Sequence, residues 1–205
     1  MSRARNLVIL LFDDAEVLDF CGPFEVFSVA SNQSDAPLFN VSTVAEKTSI
    51  TARNGLSVNP DHSLDSCPKP DILLVPGGIG TRRELNNSRL VDWIKAVAEE
   101  ADLILSVCTG ALLLGKAGLL DNLEATTHHV AWDVLREIVP TCTVYENRRF
   151  VDNGRIITSA GIAAGIDMSL HVVERLSGRD IAAATARHME YPIVGLNPDS
   201  EAPAD

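Results

Sequence analysis

The chain has 205 residues, and several kinds of feature are missing from it. No apolar run approaches the ~20 residues that a bilayer-spanning helix requires, so no membrane role is expected. Cations are in short supply: 17 Lys plus Arg face 28 Asp plus Glu, a formal charge of −11. That deficit argues against nucleic acid as a partner, because cationic contacts to phosphate carry such binding. Arg82-Arg83 and Arg148-Arg149 are isolated pairs that read as solvated loops, not as a basic stripe. None of the cysteines Cys21, Cys67, Cys108 and Cys142 stands in a CxxC or at close spacing. Reduced thiols in a cytoplasmic protein are therefore expected rather than disulfides. There is no G-x-G-x-x-G spacing for a dinucleotide and no Gly-Lys-Ser/Thr for phosphates. With no His/Cys cluster at ligand spacing, a metal is not expected. The opening "MSRARNLVILLFDDAEVLD" turns acidic at once and offers no small-residue cleavage site, so it reads as a first strand and not a signal peptide. No repeat or biased linker divides the chain. One domain over 1–191 is expected, with a poorly ordered tail over 192–205.

What is present is an alternation of two periods. "NLVILLF" (Asn6–Phe12), "ILLV" (Ile72–Val75) and "LILSV" (Leu103–Val107) are continuous apolar runs of the kind found in strands buried on both faces. "FNVSTVAE" and "SVNPDHSL" alternate as strands do, with "ARNGL" as a turn between a pair of them, and "RIITSAG" adds another strand. Helical spacing marks Pro23–Ser31, where Pro occupies a first-turn position, and Ser88–Ala101, "TGALLLGKAGLL", Val130–Val139, "IAAGIDMSLHVVERLSG" and Arg179–His188. Strands alternating with helices predict an α/β fold, a mostly parallel sheet sandwiched by helices.

In such sheets ligands bind outside the carboxyl ends of the strands, and those ends carry unusual residues here. "DDAEVLDFCGP" with Asp19 follows the first strand, "PGGIG" follows "ILLV", Cys108-Thr109-Gly110 follows "LILSV", and "SAGIAAG" with Ile162 follows "RIIT". A cysteine on a tight strand-to-helix turn has the logic of a nucleophile elbow, and the dipole of the following helix is expected to lower its pKa. The alternative is that Cys108 is a small buried hydrophobe. Asp19 is either a helix cap or first-turn acid, or a carboxyl facing Cys108 whose pKa burial and the sulfur would raise. Asp13, Asp14 and Glu16 read as solvated. "PGGIG" is either a plain turn or a pair of amides, those of Gly78 and Ile79, aimed at charge developing on a substrate. His128 and His129 are expected to point apart, a poor metal pair. Either one lines the crevice or makes a structural hydrogen bond.

Taken together, "DFCGPFEVF", "LLVPGGIG", "SVCTGALLLGKAGLL", "ATTHH" and "SAGIAAGID" resemble the ThiJ/PfpI superfamily, over nearly the whole chain. The resemblance implies a flavodoxin-like fold, similar to that of class I glutamine amidotransferases, with a nucleophile elbow. Within it the chain looks most like the isocyanide hydratase branch. Asp19 stands in L-D-x-x-G-P where many members have glutamate, Thr109 follows the cysteine where protease-like members have histidine, and A-T-T-H ends at His128. Peptidase activity is not expected. The resemblance implies a cofactor-independent hydro-lyase acting on a small electrophile. Cys108 would be nucleophile, Asp19 proton donor and Thr109 the residue positioning acid or water, with Gly78, Ile79, His128 and Ile162 along the substrate. It also implies a homodimer. Two other functions share these motifs: a glyoxalase-like conversion of methylglyoxal, and a sensor whose Cys108 is oxidised, with Cys21 either a resolving partner or a packed side chain. Sensor domains of AraC-type regulators carry the same fold before a helix-turn-helix. Here the sequence stops soon after "RHMEYP", which weighs against that reading.

Overall fold

A computed structural model describes residues 3–34 and 36–192. The loose tail expected from residue 192 falls, beyond Pro192 itself, outside the described residues. In chain order the strands are β1 (Arg5–Leu10), β2 (Phe39–Ala45), β3 (Ile50–Thr51), β4 (Ser57–Val58), β5 (His62–Ser63), β6 (Ile72–Val75), β7 (Leu103–Ser106), β8 (Glu124–Ala125), β9 (Thr143–Val144), β10 (Phe150–Asp152) and β11 (Ile156–Ser159). The helices are α1 (Val17–Asn32), α2 (Thr81–Glu84), α3 (Ser88–Glu100), α4 (Gly110–Lys116), α5 (Trp132–Ile138), α6 (Ala164–Ser177) and α7 (Arg179–His188).

Seven strands form the main sheet in the order β10-β11-β7-β6-β1-β2-β5. All neighbours are parallel except β10, which runs antiparallel to β11 at one edge. The three continuous apolar runs are its centre. Leu7 to Leu11 and Ile72 to Val75 have no exposed surface at all, as expected of parallel strands covered on both sides. Burying each such side chain contributes about 1.5–3 kcal/mol, and truncating one to alanine costs about 2–5 kcal/mol. Helices flank the sheet in two groups, α1 with α6 and α7, and α2 to α5. Helix α3 shows why: Leu90, Val91, Ile94 and Ala98 recur at helical spacing and are buried, and Asn87 caps the start by accepting from the Leu90 N–H at 3.3 Å.

Three local expectations need correction. Helix α1 begins at Val17, not Pro23, because Phe20, Pro23, Phe27 and Ala30 continue one buried stripe. Pro23 is thus inside the helix, where it forfeits one bond, the one its N–H would make to the Asp19 carbonyl. The turn "ARNGL" joins β3 to β4 in a small antiparallel hairpin, with Asn54 and Gly55 at φ 63° and 89°, while β2 pairs instead with β5. Helix α4 stops at Lys116, and Gly118, at φ 75°, turns the chain before Leu119. The pieces β8, β9 and β10 are too short to leave a periodic trace in the sequence.

The functional consequence is positional. Strands β11, β7, β6 and β1 are parallel and adjacent, so the four loaded carboxyl ends lie side by side. The segment carrying Cys108 leaves from the middle of that row.

Candidate functional site

Cys108 lies two residues beyond β7, just before α4, and its φ is 55°. A left-handed backbone at a non-glycine residue costs of order 1–2 kcal/mol and persists only where the surroundings hold it. Both peptide groups of Cys108 are held. Its N–H donates to the Ala160 carbonyl at 3.1 Å, and its carbonyl accepts from the Thr127 hydroxyl at 2.7 Å. The turn is tight enough to demand glycine beside it. A Cβ on Gly77 would lie 2.4 Å from the Thr109 nitrogen and 2.8 Å from the Cys108 Cβ, and one on Gly110 would lie 2.2 Å from the Val75 carbonyl oxygen. These are the features of a nucleophile elbow.

Asp19 lies in the first turn of α1 and also faces the sulfur, so both readings open for it in the sequence hold at once. The side chain has no exposed surface. Oδ2 accepts from the Gly77 N–H at 2.9 Å, while Oδ1 forms no full hydrogen bond to any described residue. Burial pushes the Asp19 carboxyl up to about 7; the Gly77 N–H opposes that, the charge of Glu16 adds to it, and the nearby Cys108 thiol lowers it slightly. Burial raises this carboxyl as expected, but the sulfur acts in the sense opposite to the one expected. The thiol itself is also a correction. Burial, then the Asp19 charge, push Cys108 up to about 12, although the N–H groups of Thr109 and Ile162 pull it down. The Thr109 N–H just before α4 acts in the expected direction and is outweighed by desolvation. At neutral pH the pair therefore holds a protonated thiol beside a carboxyl near its midpoint.

The "PGGIG" loop is wired differently from the substrate-facing pair of amides. Gly77 N–H serves Asp19, and Gly78 N–H donates to Thr109 Oγ1 at 2.9 Å, so the Gly78 amide does not point at a substrate. Thr109 Oγ1 in turn lies 3.1 Å from the Gly78 carbonyl oxygen and 3.2 Å from Thr81 Oγ1. The Thr109 hydroxyl thus fastens the loop that delivers the Gly77 amide, and it makes no hydrogen bond to Asp19. The hydrogen bonds that Thr81, Thr127 and Gly77 make around the cysteine turn are ones that periodicity does not reveal. "ATT" and "PGG" are the only traces of Thr127 and Gly77 in the sequence.

A cavity of about 160 Å³ opens over the sulfur, lined among others by Glu16, Arg53, Ile79, Arg82, His128 and Ile162. Four of the predicted crevice residues, Gly78, Ile79, His128 and Ile162, meet here with Cys108 and Thr109. Glu16, read as solvated, is half-buried at the cavity wall. His128 and His129 do not diverge: their rings stack with centroids 4.2 Å apart. Burial, then His129 and Arg82, lower the His128 pKa. Its Nδ1 accepts from the Val130 N–H at 3.3 Å, which leaves Nε2 to carry the proton of the neutral ring. Cys21 is exposed while Asp19, two positions back on the same helix, is fully buried. Residues two apart point about 200° apart on a helix, so Cys21 is neither a packed side chain nor a partner facing Cys108. Among the described residues, no three His, Cys, Asp or Glu side chains gather to hold a metal. A larger cavity, about 440 Å³, lies beside Phe12, Lys47 and Glu84. It is lined by no cysteine, serine or histidine, and Asp13 with Lys47, Arg83 with Glu84 and Asn87 with Glu46 satisfy one another there.

Similar sequences and a similar fold recur in known proteins. The isonitrile hydratase of Pseudomonas putida is 34% identical over 190 residues, covering 92% of this chain and 79% of the hydratase. The HTH-type transcriptional regulator GbdR of Pseudomonas aeruginosa is 28% identical over 188 residues, covering 91% of this chain. This chain spans about half of that regulator's length, 51%. Among solved structures, a THiJ/PfpI family protein from Pseudomonas syringae superposes with a TM-score of 0.84 at 27% identity, covering 99% of this chain and 78% of that one. The model of the DJ-1/PfpI family matches residues 5–175, which takes in all four loaded strand ends. The chain belongs to the DJ-1/PfpI family.

Proposed function

We propose that the site hydrates an isocyanide, R–N≡C, to the N-substituted formamide through a covalent thioimidate on Cys108. One observation carries the reading: a fully buried carboxyl with an unpaired oxygen, titrating near neutrality, set beside a buried thiol on a strained turn. Because the thiol is protonated at neutral pH, the nucleophile is made as it attacks. The sulfur bonds to the terminal carbon while its proton passes to the Asp19 carboxylate, and Asp19 returns that proton to the same carbon. The product is R–N=CH–S–Cys108, the sum of isocyanide and thiol. Water then adds to this carbon. Asp19 takes a proton from the water and passes it to the nitrogen. As the C–S bond breaks, the hydroxyl proton returns to sulfur by the same carboxyl, which leaves R–NH–CHO and the free thiol. The roles are nucleophile for Cys108 and proton carrier for Asp19. Thr109, Gly77 and Thr127 position them. Ile79, His128 and Ile162 contact the substrate.

The name of the Pseudomonas putida relative supports this chemistry. By the same reading the protein works without a cofactor, as a homodimer in the cytoplasm, with residues 1–191 acting as one unit. The test is formamide production from cyclohexyl isocyanide by the purified protein, with methylglyoxal assayed beside it. Formamide from the native protein and none from Cys108→Ala is the expected result. Lactate without formamide would replace the hydratase by a glyoxalase-like reaction, and no turnover of either would leave a sensor.

A further inference from the structure

We propose that the Cys108 cavity selects electrophiles carrying an anionic group, which, resting on the hydratase reading, makes its substrate an isocyanide that bears a carboxylate. The inference starts from a charge anomaly. Acidic residues outnumber basic ones 28 to 17, and Arg3, Arg83, Arg89, Arg136, Arg149 and Arg175 each meet a carboxylate. Arg82 does not. It lines the cavity over Cys108, is exposed, and its guanidinium makes no hydrogen bond or ion pair to any described residue. Its neighbour Arg83, on the same short helix, is held by Asp14, Glu84 and the Asp13 carbonyl. In a chain this acidic, an arginine left without a carboxylate at the mouth of a reactive thiol is a charge available to a ligand.

Arg53 is the second cation on the cavity wall. Its one carboxylate neighbour, Glu16, lies 3.9 Å from Nε, too far for a hydrogen bond, so its donors stay open. On the wall Arg82 and Arg53 are opposed by Glu16 alone, so the rim carries one positive charge in excess, above the Asp19 carboxyl that lies buried beside the sulfur. His128 contributes a neutral N–H donor, since Arg82 itself helps hold the ring uncharged. The remaining wall is apolar: Ile79, Val130 and Ile162 are 46%, 60% and 36% exposed around the opening. A ligand that satisfies all of this has a hydrocarbon body on the isoleucines and valine, an anionic group on the guanidiniums, and its electrophilic atom over the sulfur. A positive mouth on a strongly negative molecule also focuses the local field and steers anions to the site.

Alkylation of Cys108 tests the selection without any isocyanide. Iodoacetate and iodoacetamide both form an S–CH2 bond, expel iodide and release the thiol proton, and differ in charge. In the full-length protein, peptide mass spectrometry reads both rates at Cys108 and, as an internal control, at exposed Cys21. The iodoacetate-to-iodoacetamide ratio is expected to be about 5-fold higher at Cys108 than at Cys21 at low salt, the size of one charge pair at about 4 Å in water. It should shrink in about 0.5 M salt and fall toward the Cys21 ratio in Arg82→Gln, with a smaller fall in Arg53→Gln. Equal ratios at the two cysteines, a ratio insensitive to Arg82→Gln, or no alkylation of Cys108 by either reagent would overturn the proposal. A second arm compares kcat/KM for a carboxylate-bearing isocyanide and its methyl ester, with the carboxylate-to-ester ratio expected to fall about 5-fold in Arg82→Gln. Anion preference in alkylation without isocyanide turnover would retire the hydratase reading and leave the selection standing. Turnover with no preference for the carboxylate in either arm would do the reverse.

Discussion

Two buried aspartates at opposite ends of the strands show what separates a structural carboxyl from one available for chemistry. Asp71 precedes β6 at the amino end of the strands and is 8% exposed. Burial raises its pKa, but Arg3, bound at 2.6 and 2.8 Å, and the Asn6 N–H at 2.7 Å outweigh that and hold it below the ordinary range. Asp19, at the carboxyl end, has no cation against it, one backbone N–H, and an oxygen left over. The same side chain is thus fixed as a charge in one place and kept ready to gain or lose a proton in the other. Under-satisfaction of a fully buried group marks the second.

Substitutions can break the comparison, the largest effect first. Cys108→Ala should abolish formamide production, with the fold retained by circular dichroism. Asp19→Asn should lower kcat/KM at least ~100-fold, as loss of a proton carrier does, whereas Asp71→Asn should leave it within ~3-fold and instead lower Tm by roughly 2–6 °C. Thr127→Val, which frees the Cys108 carbonyl, should cost about 10-fold in kcat, on the scale of a small misplacement of the nucleophile.

The pH dependences of stability should run in opposite senses. The folded pKa of Asp19 is raised above its unfolded value of ~3.9, so the folded state binds the proton more tightly. Its contribution is full below ~4 and is lost as pH rises through about 7. Asp71 has a depressed folded pKa, so its contribution is present above ~4 and is lost as pH falls through the folded value. Denaturant unfolding at pH 3, 5 and 8 should accordingly show Asp19→Asn gaining on the native protein between pH 5 and pH 8, while the deficit of Asp71→Asn is the same at pH 5 and pH 8 and shrinks toward pH 3. The smallest effect sharpens the kinetics. With thiol and carboxylate as the working pair, kcat/KM for a neutral isocyanide should rise as pH passes through about 7 and then hold level.

Much of the fold is visible in the sequence because burial on both faces leaves an unambiguous trace. The runs at Leu7, Ile72 and Leu103 can hardly be anything but central parallel strands, and their order with the helices follows. Cys108 is visible too, since a thiol where an apolar run changes period is a local signal. What escapes is whatever depends on contacts distant in sequence. The raised thiol pKa comes first from burial and then from the charge of a carboxyl on another element, and the use of the Gly78 amide by Thr109 spans 31 positions. Neither has a local pattern. Thr127 is hidden for the same reason, because nothing in "ATTHH" states that one hydroxyl reaches a carbonyl 19 residues away.

The most direct measurement is the titration of the Asp19 carboxyl itself, by carbon-13 NMR of aspartate-labelled protein between pH 4 and pH 9, assigned by its absence in Asp19→Asn. A midpoint near 7 that moves in Cys108→Ala is the predicted result. A midpoint near 4, unaffected by the loss of the thiol, would mean that this carboxyl is solvated and uncoupled, and would contradict its role as the proton carrier of the site.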